Sequence, residues 1–208
     1  MSQPALSPKI SELLVSHICH DLVSPVGAIN NGIEFIEEMG SSAVKDSMDL
    51  ISSSCNQAAA RLQCFRLCYG AAGSGGNVTY KDIRTVFENY IAGSRTVLNW
   101  DIDGPNSMYP EGYMKVVLNV LMLADAGIPA IGNLKISNHE NGVEIVASGD
   151  KVDFKEGVMS AYRKETSEQD LNPRTVHAYL TRVFADFYQI KLDMTDKTPE
   201  KVRFTVGF

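Results

Sequence analysis

Residues 6–39 read LSPKISELLVSHICHDLVSPVGAINNGIEFIEEM, and this stretch decides the fold. On a helical wheel of about 100° per residue, its aliphatic residues fall on one face. They are Ile10, Leu14, Ile18, Leu22, Ile29, Ile33 and Ile36. The wheel places His20, the first residue of the segment HDLVSP, on the opposite face, which we expect to be exposed to solvent. His17 lies near the edge of the apolar face, where a packed helix covers it more easily.

A second helical pattern runs from about Ser42 to Tyr69. The first helix is predicted to end at Met39-Gly40, and Ser41-Ser42 provides the N-cap of the second. Its apolar positions are Val44, Met48, Ile51, Cys55, Ala58, Leu62 and Phe65. The pattern ends at GAAGSGGN, residues 70–77, where four glycines cannot continue a helix. We therefore predict an antiparallel helical hairpin over residues 1–72. Two amphipathic helices cannot cover each other's stripes completely, so a homodimeric four-helix bundle is expected.

The remainder of the chain alternates between helical and strand patterns. Helices are predicted near 80–92, 111–126 and 172–188, and strands near 96–102, 133–138, 143–147, 190–194 and 202–206. Residues 78–208 thus form a second domain in which helices are layered on one sheet. The expected fold class is α+β.

Length and composition limit the functional classes. A chain of 208 residues with 44% hydrophobic residues can bury a proper core. Its net charge of −6 argues against nucleic acid or an anionic membrane as the main partner, because both require a basic surface. The sequence has no continuous apolar run of membrane-spanning length and begins without a signal-peptide pattern. We expect a cytoplasmic protein.

Four cysteines, Cys19, Cys55, Cys64 and Cys68, lie in the N-terminal third. Cys64 and Cys68 are one helical turn apart, but structural zinc usually needs four converging ligands. We expect these cysteines to pack in the core, and no bound metal.

The segment HDLVSPVGAI, residues 20–29, resembles the H-box of histidine kinase dimerisation domains, in which an acid follows the phosphoacceptor histidine and a proline follows a Thr or Ser. By the order of its elements, the C-terminal part resembles the ATP-binding domain of the same kinases, which has the Bergerat or GHKL fold. The fold that this resemblance implies is a long helical hairpin forming a dimeric four-helix bundle, followed by a degenerate GHKL-like α/β sandwich.

The nucleotide-binding motifs of those kinases are degenerate here. Asn119 matches the first asparagine of the N-box, but Leu123 stands where the metal-binding asparagine belongs. In VASGDK, Ala147 replaces the adenine-reading aspartate and Lys151 replaces a glycine, and no glycine for a phosphate lid occurs between Gly157 and Gly207. Leucine supplies no oxygen to magnesium and alanine no acceptor to adenine. ATP use is therefore not expected.

An H-box hairpin joined to a degenerate kinase domain resembles the ChpT-type histidine phosphotransferases of alphaproteobacteria. The resemblance implies a homodimer in a two-component phosphorelay that controls the cell cycle. It would accept a phosphoryl group from the receiver domain of a hybrid kinase (CckA-like) and pass it to response regulators (CtrA-like, CpdR-like). No cofactor is implied for the chain itself, because magnesium is expected on the receiver.

The residues fit this chemistry. The Nε2 atom of His20 is the expected nucleophile, and it would form a phosphoramidate. Asp21 is expected to orient the other ring nitrogen. Ser24, one turn on, either hydrogen-bonds the phosphoryl group or is an ordinary surface residue, and Pro25 is expected to kink the helix. His17 is a minor alternative acceptor.

We expect the receiver to dock just beyond His20. The predicted surface consists of Val23, Gly27 and Asn31 from the first helix and Arg61, Phe65 and Arg66 from the second. Phe65 is alternatively a core residue. Three other functions remain open at this point: a kinase with an unusual nucleotide site, a non-catalytic dimeric adaptor, and a receiver phosphatase.

Overall fold

The computed structural model describes residues 7–42, 44–75, 77–102 and 109–208. Leu6, where the first helical pattern was predicted to begin, and Gly76 of the glycine-rich loop lie outside the described residues. The chain forms a helical hairpin followed by a layered α/β domain, which confirms the predicted fold class.

The hairpin consists of α1 (Pro8–Met39) and α2 (Val44–Cys68), joined through a short 3₁₀ turn at Gly40–Ser42. The Ser7 side chain caps α1 by accepting from the backbone N–H of Ile10. Pro25 lies inside α1 and is buried. The structure thus shows one continuous helical segment on both sides of the predicted H-box proline.

The second part of the chain follows a 3₁₀ turn at Ala71–Gly73. Its elements are α3 (Tyr80–Tyr90), β1 (Thr96–Asp101), α4 (Tyr113–Ala126), β2 (Gly132–His139), β3 (Gly142–Gly149), α5 (Val158–Tyr162), α6 (Val176–Phe187), β4 (Lys191–Thr198) and β5 (Lys201–Gly207). A further 3₁₀ turn spans Glu168–Asp170. Helix α5 was not predicted, and α4 and α6 begin later than expected.

The five strands form one sheet in the order β1-β2-β3-β5-β4. Strand β1 pairs parallel with β2, whereas the other neighbours are antiparallel. Side chains alternate between buried and less buried along β3 and β5, so only one face of the sheet is covered. Helices α3, α4 and α6 belong to the same core as that face.

Helix α4 occupies the centre of the molecule. Twelve of its residues, Tyr113 through Ala124, are buried. It contacts the sheet at β3 and β5 and also the hairpin helix α2. Because α4 touches both parts of the chain, the helical hairpin and the α/β domain share one hydrophobic core.

Two of the four cysteines follow the prediction of core packing. Cys64 and Cys68 are fully buried, and the sulfur atom of Met122 on α4 lies 3.5 Å and 3.1 Å from their respective Sγ atoms. Cys19 and Cys55 are exposed in the single chain, so for them the prediction is wrong. Both lie on hairpin faces that no other part of the described chain covers.

Candidate functional site

His20 projects into solvent from the middle of α1, as the helical wheel predicts. Its side chain is 86% exposed, and its Nδ1 atom lies 3.4 Å from Oδ1 of Asp21. A proton on Nδ1 donates to this carboxylate, and in that tautomer the lone pair of Nε2 is free. The site therefore presents an accessible imidazole nitrogen whose other nitrogen has a carboxylate partner.

The surface beside His20 is open. Val23 is 69% exposed, and Ser24 and Asn31 are exposed as well. At Gly27, an added Cβ atom would meet no atom within 4 Å. Val23, Gly27 and Asn31 were predicted to form the α1 part of the docking surface, and Ser24 to lie one turn on from His20; the structure places all four on this side of α1. We call the surface of Val23, Ser24, Gly27 and Asn31 the α1 face.

The α2 residues that were predicted to join the α1 face behave differently from one another. Arg66 is exposed, whereas Arg61 is only partly exposed and its Nη1 donates to the backbone carbonyl of Asp21. Phe65 is 4% exposed and packs between His17 and Tyr69, with ring centroids 6.0 Å and 5.9 Å away. The prediction of Phe65 as a docking residue is therefore wrong, because its ring belongs to the core.

His17 is covered by the second domain. Its ring stacks on that of His177 from α6, with the centroids 6.2 Å apart and the planes at 15°. Burial lowers the pKa of His17, against the opposing effects of Asp21 and of a backbone hydrogen bond at Pro173. A covered ring of this kind is a poor target for a docking protein. The geometry favours His20 over His17 as the acceptor.

His177 joins three helices. Its Nδ1 lies 2.8 Å from the hydroxyl of Tyr69 at the end of α2, and its Nε2 lies 3.1 Å from the backbone oxygen of Asn119 on α4. Nε2 therefore donates to the carbonyl and Nδ1 accepts from the hydroxyl. Burial lowers the pKa of His177 to about 3, so the ring is neutral near pH 7. Sequence reasoning missed this residue, because a single histidine in a helix gives no signal of its partners.

Asn119, which the sequence analysis matched to the first asparagine of the kinase N-box, contacts the hairpin. Its Nδ2 atom donates to the backbone oxygens of Cys68 (3.1 Å) and Lys115 (2.8 Å). Lys115 is buried, and its Nζ donates to the backbone oxygen of Gly70 at 2.7 Å. The last carbonyls of a helix have no partner within the helix, and a cation there is favourable. Asn119 and Lys115 thus cap the C-terminal end of α2.

A cleft of about 690 Å³ lies between part of α1 and the second domain. The hairpin contributes His17, His20 and Asp21, and the cations Lys155 and Arg174 line the opposite side. Both cations are exposed. Sequence reasoning missed them as site residues; the available signals were that Lys155 follows the degenerate VASGDK segment and that Arg174 lies at the start of the predicted last helix.

Three residues that the sequence analysis matched to the nucleotide-binding motifs of kinases have the following environments. Leu123 lines the cleft and is 1% exposed, and Ala147 is fully buried on β3. Lys151 is exposed, and its Nζ lies 2.7 Å from Oδ2 of Asp153. Within the described ranges, no three His, Cys, Asp or Glu side chains converge as a metal site.

None of the helices in the described part of the chain combines the length and the apolarity needed to cross a bilayer.

Comparisons with known proteins agree on one family. Residues 80–198 match the family described as "Histidine phosphotransferase C-terminal domain". The chain is 32% identical over 201 residues to "Protein phosphotransferase ChpT" from Brucella abortus (strain 2308), covering 94% of each chain. Among solved structures, it is similar to "1.7 Angstrom Structure of a Bacterial Phosphotransferase", with a TM-score of 0.80, 29% identity, and coverage of 99% of this chain and 100% of that one.

Proposed function

This chain belongs to the ChpT-type histidine phosphotransferase family, and on that basis we propose that it carries phosphoryl groups between receiver domains on His20. The single observation that carries this proposal is the exposed His20 imidazole with Asp21 at its Nδ1. The source of the phosphoryl group would be the receiver of a CckA-like hybrid kinase. The recipients would be CtrA-like and CpdR-like response regulators, in a cytoplasmic relay.

The transfer consists of two displacements at phosphorus. In the first, the Nε2 lone pair of His20 attacks the aspartyl phosphate of the donor receiver, an N–P bond forms, and the O–P bond breaks to return the donor's carboxylate. Asp21 accepts a hydrogen bond from the Nδ1 proton and stabilises the positive charge that develops on the ring. In the second, an acceptor receiver's aspartate attacks the phosphoramidate and frees His20. Magnesium belongs to the receivers in both steps.

Receiver docking would use both sides of the cleft. The α1 face lies beside His20 and is free of obstruction at Gly27. Two exposed cations, Lys155 and Arg174, line the cleft together with His20, and Arg66 is a further exposed cation on α2. The phosphorylation site of a receiver is rich in carboxylates, so these cations supply the complementary charge.

The chain would act as a relay protein without its own kinase reaction. Asn119, which kinases use at the nucleotide, has its amide engaged with the end of α2. Leu123 and Ala147 offer no oxygen to a metal ion or to adenine. These contacts support a source of phosphate other than bound ATP.

The exposed stripe of the hairpin supports a homodimer. Ile33 on α1 and Val44, Met48 and Leu62 on α2 are between 41% and 52% exposed, although all four lie on the predicted apolar faces. Repeated apolar residues that remain exposed on a helix generally pack against another chain. A second copy of the hairpin would complete the four-helix bundle.

Phosphotransfer from an isolated receiver tests the proposal. The full chain is mixed with a ³²P-phosphorylated receiver domain from a CckA-like kinase, without ATP, and acid-labile label on the chain is followed. We expect label on the wild type and on the matched histidine variants His17→Ala and His139→Ala, but none on His20→Ala. His139 is the exposed histidine of the second domain.

Other outcomes would point to the rival functions. Release of inorganic phosphate from the receiver, dependent on His20 but without label on the chain, would identify a receiver phosphatase. A receiver that binds and keeps its phosphate would identify an adaptor. Label that appears from ATP alone would identify a kinase.

A further inference from the structure

Pro25 leaves one backbone carbonyl of α1 without its helical donor. In an α-helix, the N–H of residue i donates to the carbonyl of residue i−4, and proline has no N–H. The carbonyl that loses its partner here is that of Asp21. A carbonyl inside a partly buried helical bundle needs a substitute donor.

Arg61 provides that donor from the other helix of the hairpin. Its Nη1 atom donates to the Asp21 carbonyl oxygen across a separation of forty residues in sequence. This contact between α2 and α1 is partly buried. Burial raises the pKa of Tyr90 at the end of α3. The charge of Asp21 raises this pKa further, and the charge of Arg61 lowers it.

Asp21 connects this contact to the reacting histidine. Its carbonyl accepts from Arg61, and its carboxylate lies 3.4 Å from Nδ1 of His20. Fixing the backbone of Asp21 fixes the turn of α1 that carries both side chains, just where proline removes a helical bond. We infer that Arg61 is a positioning residue for His20, which it orients through the Asp21 backbone rather than by contact with the receiver.

This inference rests on the proposed function. A positioning role and a docking role for Arg61 predict that its substitution changes different kinetic constants. A docking residue binds the receiver, so its loss raises KM for the phosphorylated receiver. A positioning residue holds the nucleophile, so its loss lowers the rate constant of transfer within the complex. Arg61→Met removes the donor but keeps a side chain of similar length.

The experiment is a double-mutant cycle with Pro25→Ala. Alanine restores a backbone N–H at position 25, which can donate to the Asp21 carbonyl and make Arg61 unnecessary. We expect Arg61→Met to lower the transfer rate constant about tenfold in the wild-type background, with KM changed less than about twofold. In the Pro25→Ala background, the same substitution should lower the rate constant by less than about twofold, measured relative to Pro25→Ala itself.

Lys81→Met, which removes an exposed cation at the start of α3, serves as the charge control and should transfer like the wild type. If Arg61→Met does not fold, as judged by circular dichroism, Arg61→Leu, which also has no side-chain donor, takes its place in the cycle. Equal losses in both backgrounds, or a rise in KM with an unchanged rate constant, would overturn the inference. A wild-type chain that takes no label would instead refute the proposed function, so the two failures are distinguishable.

Discussion

Under the proposed function, His20 and its neighbours form a phosphoacceptor site that requires few other groups from its own chain. The imidazole is exposed, one carboxylate lies at its Nδ1, and Gly27 leaves space for an incoming surface. Groups that stabilise the transferring phosphoryl are expected on the receiver. In that role, the residues of α1 would act mainly by orienting the imidazole and by leaving it accessible.

Access at Gly27 can be tested by filling the space. Gly27→Leu should raise KM for the phosphorylated receiver at least about tenfold, because the new side chain projects into the docking surface. The fold should not suffer, since no atom lies within 4 Å of the added Cβ and leucine favours a helix over glycine by about 1 kcal/mol. Steady-state transfer kinetics and the thermal midpoint measure the two effects.

Gly27→Ala is the matched control for this substitution. It gains the same kind of helix stability but adds only a methyl group, so its KM should stay close to that of the wild type. A normal KM for Gly27→Leu in a folded protein would show that receivers dock elsewhere.

At the scale of elements, the contact between α1 and α6 makes stability depend on pH. His177 is neutral in the folded protein, with a pKa lowered to about 3, whereas the ordinary value is 6.5. Below pH 6.5, the unfolded chain binds a proton that the folded chain does not. The contribution of neutral His177 to the free energy of unfolding is therefore fully present above pH 6.5, and it is lost as the pH falls from 6.5 toward 3.

Urea unfolding at pH 7.5, 6.5 and 5.5 measures this dependence. The wild type should lose stability over this range, and His177→Gln should lose less, although His17 continues to contribute because burial lowers its pKa also. Parallel losses in the two proteins would mean that His177 titrates normally in the folded state.

The cap that α4 places on α2 is a second contact between elements. Asn119→Ala should lower the free energy of unfolding by about 1–3 kcal/mol, because the buried Cys68 carbonyl loses its amide donor. Asn89→Ala, at an exposed position near the end of α3, should change it by less than about 0.5 kcal/mol. Denaturant titrations of the full chain compare the two. If both variants changed the free energy of unfolding by similarly small amounts, Lys115 alone would be sufficient to cap α2.

Sequence patterns predicted these elements where the pattern is long or strictly alternating. The burial of Val143, Ile145 and Ala147 on one face of β3 follows from alternation, and the exposure of His20 follows from helical periodicity. Helix α5 has only five residues, too few for a periodic signal. The predicted start of the last helix at Asn172 was early because residues 172–175 form a turn, in which the backbone N–H of Asn172 donates to Oγ1 of Thr175.

Contacts between elements were harder to predict than the elements. The burial of Phe65 and the reach of Arg61 to Asp21 depend on how α2 is rotated and aligned against α1, which periodicity leaves open. Pro25 alone indicated that such a contact was needed, because a proline at that position leaves the Asp21 carbonyl without its helical donor. Of the predicted docking surface, Phe65 on α2 is therefore excluded by its burial, whereas the α1 residues are accessible and their docking role stays a prediction.

At the scale of the whole molecule, the exposed hairpin stripe predicts self-association. The chain has a mass of 22.8 kDa, and light scattering after size exclusion should give twice that value for the wild type. Met48→Glu combined with Leu62→Glu should give a monomer, because two carboxylates would be buried without partners in the bundle. The second domain should remain folded, as followed by the fluorescence of Trp100.

Glu88→Gln, a charge change at an exposed position on α3, is the control and should remain dimeric. A wild-type protein that stays monomeric at micromolar concentration would show that the stripe does not pair with a second copy.

The open α1 face also limits how signals pass through the protein. One such face serves each His20, so under the proposed relay a donor must leave before an acceptor can arrive. Donor and acceptor then compete for the same position, and an abundant donor that has already given up its phosphate delays delivery to the next protein. The flow of phosphate through this chain would thus be set by the relative amounts of the two receivers in the cell.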